Sequence, residues 1–331
     1  MSIANNVLNL DVKNKGEKVT DKKKKIIKNI VLKDNNFIPE EKDFSSEIQT
    51  PLFFQSLDKI INLNEKNLFS KSNIFYSFNS FKMEKYLQKC LINSSKEIIT
   101  FIINELKGSF REVIKNKNGN YFCSYLIKIC DKNNRIKILK ELSNSINEDC
   151  IDEFGTYPIQ NLIQYASTED EFQLLLLSFN NYEAILIPAI DPHGTFVIQK
   201  IIKHIPENFR KEFNSIFIKF VSFLAKDIYG AFCLEKFILY TKKESIQNQI
   251  LNTIMNDFIS LSTNKIGNYL IQNLLLKWWD NKKGENIKKI IKEKYSILNN
   301  NIYSLHICEL YNKLNNNENN SDSSFNSYKN I

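Results

Sequence analysis

What this chain lacks narrows it first. Glycine and proline are scarce, eight and six in 331 residues, which argues against the turn-dense sequence of an all-β fold. No apolar run reaches the ~18 residues that a membrane-spanning helix needs. The opening MSIANNVLNLDVKNK lacks the charged-then-apolar order of a secretory signal. There are only three histidines, His193, His204 and His306. None has a second ligand at metal-binding spacing, and the H-E-x-x-H, Walker and dinucleotide-binding signatures are missing. The six cysteines, Cys90, Cys123, Cys130, Cys150, Cys233 and Cys308, form no C-x-x-C pair. Most sit in or beside apolar runs and read as reduced, mostly buried thiols of an intracellular protein. No metal, cofactor or catalytic residue is expected.

What is present describes a soluble folded protein, with 43% apolar and 25% charged residues. The length suffices for one elongated domain or two ordinary ones. The formal net charge of +8 leans toward a polyanionic partner. Part of it sits in KNKGEKVTDKKKKIIKN, which reads as a solvated arm, with a nuclear signal or nucleic-acid arm as the alternative. From Asn315 the chain becomes Asn- and Ser-rich, NNNENNSDSSFNSYKN, a composition expected to be disordered. The organisation expected is therefore a basic arm over 1–36, a folded domain over 37–314 and a tail over 315–331.

The folded part repeats itself. NKNGNYFCSY, DEFGTYPIQN, DPHGTFVIQK, DIYGAFCLEK and NKIGNYLIQN share one shape, and their glycines, Gly119, Gly155, Gly194, Gly230 and Gly267, are spaced 36, 39, 36 and 37 residues apart. Three positions before each glycine stands Asn or Asp, a residue that bonds backbone N–H groups at a helix start; the glycine lets the chain turn in without steric conflict. The register extends forward to NIYSLHICE, where Ser304 replaces glycine, and back to MEKYLQKCL. A weaker copy carries Pro51, Leu52 and Gln55. Between motifs, stretches such as RKEFNSIFIKFVSFLAKD place apolar residues three and four apart, as amphipathic helices do. No such unit buries its apolar face alone, so the units must stack into a helical solenoid.

Within each motif, the residue after glycine and the one four further on share a helix face, and an aromatic stands beside the first. The sets are Asn120/Tyr121/Ser124, Thr156/Tyr157/Gln160, Thr195/Phe196/Gln199, Ala231/Phe232/Glu235 and Asn268/Tyr269/Gln272. The flanking copies supply Leu305/His306/Glu309 and Glu84/Lys85/Gln88. Amides and hydroxyls at fixed spacing can read the edge of a flat heteroaromatic ring, while the aromatic covers its face at ~1–3 kcal/mol. A row of such sites suits a single-stranded nucleic acid, one base per repeat. His193 reads as a turn residue, and Trp278 and Trp279 as a seal between neighbouring helices, with an outer protein-binding role as the alternative.

IGNYLIQN, HGTFVIQK, FGTYPIQN and MEKYLQKCL resemble the PUF (Pumilio-homology) repeat, from about Gln49 to Leu314 and most strongly from Asn116 to Leu274. The resemblance implies an all-α, right-handed, crescent-shaped α-solenoid of about eight repeats that binds single-stranded RNA and catalyses nothing. It assigns base-edge contacts to Gln88, Asn120, Ser124, Thr156, Gln160, Thr195, Gln199, Glu235, Asn268, Gln272 and Glu309. It assigns base stacking to Tyr121, Tyr157, Phe196, Phe232, Tyr269 and His306. Asn268 with Gln272 implies uracil. Glu235 and Glu309 imply guanine, although Ala231 and Leu305 replace the family's usual serine, and Thr156/Gln160 and Thr195/Gln199 leave adenine and uracil open. Ser124 is too short to copy a glutamine contact. The implied ligand is U-rich or UG-containing, in one of two registers: Glu309 then Asn268/Gln272 reading G-U, or Asn268/Gln272, Glu235 and Thr195/Gln199 reading U-G-U. The implied role is cytoplasmic regulation of messenger RNA through 3′ untranslated regions, by a monomer with regulatory proteins on its outer face. A nucleolar protein binding ribosomal RNA precursors and a protein scaffold without RNA binding are the alternatives.

Overall fold

An Asn or Asp begins nearly every inner helix of this protein, and the reason is the same each time. Asp152 Oδ1 accepts the backbone N–H groups of Phe154 and Gly155, both at 2.9 Å, and Asp227 Oδ1 accepts those of Tyr229 and Gly230. Asn116, Asp191, Asn264 and Asn301 repeat the pattern. Each carboxylate or amide thus satisfies two donors that a helix start leaves without partners.

The structure, a computed structural model, describes residues 65–92 and 94–319. Among these are 21 α-helices and no strand. They fall into seven consecutive sets of three: an outer helix, a short helix and an inner helix. The inner helices are α1 (Phe81–Ile92), α2 (Gly119–Ile129), α3 (Thr156–Tyr165), α4 (Gly194–His204), α5 (Ile228–Tyr240), α6 (Gly267–Trp278) and α7 (Leu305–Asn319). Each packs beside the next. The outer helices Lys96–Glu105, Lys132–Leu142 and Glu169–Leu176 likewise pack in sequence order. The protein is an all-α solenoid. The arm expected over 1–36, the weak copy at Pro51, Leu52 and Gln55, and the chain beyond Asn319 lie outside the described residues. An eighth unit is therefore not among the seven seen.

The glycines have a packing reason. Gly155 has an ordinary helical φ of −59°, so no left-handed backbone demands it. A Cβ there would stand 2.6 Å from the carbonyl oxygen of Asp149 in the short helix below, and one on Gly230 would stand 2.6 Å from that of Leu224. In the last unit Ser304 tolerates the same crossing by turning the contact into a bond: its Oγ donates to the Leu298 carbonyl at 2.7 Å.

The core runs between the rows. Phe122, Leu126, Ile159, Leu162, Val197, Ile198, Leu234, Phe237, Leu270 and Ile271 are buried from the inner helices, each such side chain contributing about 1.5–3 kcal/mol relative to exposure. Polar ties cross from unit to unit. Glu141 accepts the N–H groups of Gly108 and Phe110 at 2.8 Å. Arg135 pairs with buried Glu171 at 2.8 Å. Burial alone would raise the Glu171 carboxyl, but the Ser167 amide, Arg135 and Thr168 outweigh it and hold it below the usual range. Trp278 and Trp279 are buried, with Trp279 packed edge-on against Tyr311 of α7, so they seal neighbouring helices as expected. The six cysteines are free, five of them buried; burial pushes the Cys130 and Cys233 thiols up to about 12.

Candidate functional site

Rings normally hide in a core; here a row of them does not. Tyr121, Tyr157, Phe196 and Tyr269 are 40%, 45%, 51% and 52% exposed. They occupy the same register of α2, α3, α4 and α6, so they stand on one side of the inner row. Phe232 on α5 is half-buried, and His306 holds the equivalent exposed place on α7. The residue following each of the four exposed rings, Phe122, Pro158, Val197 and Leu270, is buried. The helix period therefore splits each motif between core and surface.

Beside the rings the polar residues form two tiers. The upper tier is Gln160, Gln199 and Gln272, half-buried, with Glu235 and Glu309 exposed. The lower tier is Asn120, Thr156, Thr195 and Asn268, all buried. This second tier departs from the reading in which both residues of a pair present free donors to a base. Asn268 Nδ2 donates to the Asn264 and Lys265 carbonyls at 2.9 and 2.8 Å, and Asn120 Nδ2 does the same toward Asn116 and Lys117. Thr156 Oγ1 donates across to the His193 carbonyl of the next unit at 3.1 Å. His193, whose own N–H is held by Asp191, is thus a turn residue.

What the lower tier does offer is an acceptor to the upper one. Gln272 Nε2 donates to Asn268 Oδ1 at 2.8 Å, and Gln160 and Gln199 donate to Thr156 Oγ1 and Thr195 Oγ1 at 3.1 Å. One N–H of each glutamine is thereby fixed, and its oxygen and second N–H have no protein partner among the described residues. The pattern breaks on α2 and α5. Asn120 Oδ1 and Ser124 Oγ are buried with no hydrogen-bond partner among the described residues, because serine does not span the gap a glutamine bridges. Ala231 carries only a methyl group, which offers Glu235 no hydrogen bond. That carboxylate lies near Lys277, whose ammonium burial pushes down against the pull of Glu235 and which donates to the Ile238 carbonyl at 2.9 Å. On α7, His306 Nδ1 lies 3.3 Å from Glu309 Oε2.

The α1 end is different. Glu84, in the lower tier, is fully buried with neither oxygen hydrogen-bonded among the described residues. Burial, opposed by Lys85, pushes its carboxyl up to about 7. Lys85 stands in the ring position, and Gln88 Nε2 donates to the Tyr121 carbonyl at 3.1 Å. Phe81, 44% exposed, meets the Tyr121 ring edge-on at 6.1 Å. Phe81 and Lys277 escaped the sequence reading. Phe81 had a signal, since it precedes Lys85 by one helical turn, whereas Lys277 belongs to the site only through the packing of α5 on α6.

A row of exposed rings, three of them with an oriented glutamine amide alongside, can stack and edge-bond a series of flat polar heterocycles. Among the described residues no group of three or more His, Cys, Asp and Glu could hold a metal ion, and no helix is long and apolar enough to cross a membrane.

Residues 86–107, 109–143, 189–212 and 257–277 match the Pumilio-family RNA binding repeat. Pumilio homolog 12 of Arabidopsis thaliana is 24% identical over 201 residues, which are 59% of this chain and 33% of that protein. Suppressor protein MPT5 of Saccharomyces cerevisiae is 23% identical over 199 residues, 58% of this chain and 23% of that protein. The chain thus spans about a third or less of these relatives. In three dimensions it is similar to the RNA-binding domain of yeast Puf5p bound to SMX2 RNA, with TM-score 0.67 and 19% identity over 76% of this chain and 70% of that one. It is also similar to the Puf3 RNA binding domain bound to Cox17 RNA, with TM-score 0.64 and 19% identity over 79% and 75%.

Proposed function

Because the chain is built from repeats of the Pumilio (PUF) family, we propose that its inner row binds single-stranded RNA, one base per repeat, without a catalytic step. The observation that carries the reading is the recurrence of an exposed ring at one register of α2, α3, α4 and α6, with an oriented glutamine amide beside it on α3, α4 and α6. A protein scaffold gives no reason for that pair to recur. Rings supply most of the affinity, since stacking on an aromatic is worth ~1–3 kcal/mol per base and tolerates any base. The unpartnered oxygen and N–H of Gln272 supply an edge that fits uracil, which presents one acceptor and one donor side by side. Glu235 and Glu309 offer acceptors only, which suits the N–H groups of guanine. On this reading the protein is a regulator of messenger RNA, acting in the cytoplasm on 3′ untranslated regions and recruiting other proteins.

Selection of a random RNA pool by the purified chain tests this directly. Enrichment of short U-rich or UG-containing sequences is the expected result. Tyr269→Ala should weaken the enriched ligand by ~1–3 kcal/mol, and Gln272→Glu should change the preferred base at one position only. Binding without enrichment would point instead to a low-specificity role on structured precursors, and absence of binding at moderate salt would overturn the proposal.

A further inference from the structure

The slot between α1 and α2 is already occupied by the protein itself. Two exposed rings flank it, Phe81 from α1 and Tyr121 from α2. The rings touch edge-on, and the Lys85 ammonium caps the pair, 5.4 Å from the Phe81 ring centre and 5.3 Å from that of Tyr121. A cation within ~6 Å of a ring face is attracted by the ring quadrupole, and here two rings share one cation. Lys85 Nζ also donates to Gln88 Oε1 at 3.0 Å, while Gln88 Nε2 is bound to the Tyr121 backbone. Ring, cation and amide therefore form a closed set: the upper-tier residue of this unit is turned to its own lysine and to the neighbouring helix. Buried Glu84 beneath, drawn by Lys85 electrostatically, adds a reason for the ammonium to stay.

We propose that Lys85, packed against the touching rings of Phe81 and Tyr121 and anchored by Gln88, completes a built-in plug that fills the base slot between α1 and α2 and ends the RNA row at Tyr121. The inference rests on the proposed RNA binding and sets the length of its site. Among the described residues the open row then consists of the six inner helices α2 to α7, which take about six nucleotides at one base per repeat.

The test uses the full chain and a fluorescein-labelled RNA carrying the selected sequence, shortened from about ten nucleotides to four, one at a time from each end. For the unaltered protein, affinity should rise with length to about six nucleotides and then stay flat. Lys85→Ala should leave the six-nucleotide ligand within about twofold and tighten the next-longer one by at least about fivefold, the gain of one stacked base. Phe81→Leu in the unaltered background should cause no loss of affinity at any length, because a plugged ring takes no base. A plateau at seven or eight nucleotides for the unaltered protein, or a several-fold loss on Phe81→Leu, would overturn the plug while leaving RNA binding standing. Absence of binding at every length would overturn both. If Lys85→Ala does not fold, the length series and Phe81→Leu decide the question without it.

Discussion

Ser124 stands where α3, α4 and α6 carry glutamine, and the consequence is an open polar gap. Asn120 Oδ1 and Ser124 Oγ lie buried without partners among the described residues, whereas Asn268 Oδ1 on α6 receives the Gln272 amide at 2.8 Å. Ser124→Gln makes α2 a copy of α6 and fills the gap. One net hydrogen bond is worth about 0.5–1.5 kcal/mol. Fluorescence polarisation should therefore show roughly 2–10-fold tighter binding of RNA with uracil at that position. Equal affinity for all four bases there would mean that α2 touches no base edge. Glu84 sets a second residue-scale prediction. Its ordinary value of 4.5 is raised to about 7, so between those values the folded chain keeps a proton the unfolded chain has lost. Stability then falls as pH rises from about 4.5 to 7, by on the order of 3 kcal/mol, and stays low above. His204 works in the opposite sense: burial, then Lys200 and Lys203, lower it from 6.5 to about 4, so stability falls as pH drops through that window. The two offset one another. Glu84→Gln should raise the urea midpoint at pH 7.5 and expose a steady loss from pH 6.5 down to 4; an unchanged midpoint at pH 7.5 would show that Glu84 carries no buried charge.

At the scale of the element, each inner helix is set by its crossing over the short helix before it. The closest crossings leave no room for a Cβ, as at Gly230 against the Leu224 carbonyl. Gly230→Ala should destabilise by about 1–3 kcal/mol, the usual cost of overpacking, read as a drop in the denaturation midpoint. Gly230→Ser should cost less, because a serine hydroxyl can donate to the carbonyl it meets, as Ser304 does to Leu298. Equal losses for the two would mean that the crossing widens rather than bonds. The same elements show why one tier of the site was legible and the other was not. The Asn or Asp cap, the glycine and the ring recur at fixed positions, and each has a local cause: a helix start, a close crossing, an exposed face. Whether Thr156 or Asn268 faces a ligand or the protein is not written in the residue type. For Thr156 it depends on the His193 turn in the next unit, which no motif read alone shows, and for Asn268 on how its own motif folds back to offer the Asn264 and Lys265 carbonyls. The plug is non-local too, since Lys85 gains its meaning only when Tyr121 of the next helix closes over Phe81.

Across the whole molecule, a solenoid is stabilised by contacts between neighbours, so damage stays close to where it is made. The spacing and order of the described units were readable because one pattern recurs at near-constant spacing, and long stretches of helix period fill the intervals. The last described unit was less readable, because its sequence drifts: Ser304 for glycine, Leu305 for a polar residue, His306 for tyrosine or phenylalanine. The joint holding that last unit is specific. Trp279 is buried, its ring meets Tyr311 of α7 at 5.9 Å, and the Lys288 ammonium lies 4.1 Å over its face. Trp279→Ala removes the joint, and a buried Trp→Ala change costs about 3–5 kcal/mol. With nearest-neighbour stability the loss should fall on the end unit. Amide hydrogen exchange should show protection lost from Tyr295 to Asn319 and kept in α2 to α4, with RNA affinity lowered by the contribution of His306 and Glu309 while the Tyr157 and Phe196 sites remain. Uniform loss of protection along the chain would mean instead that the units unfold as one cooperative block.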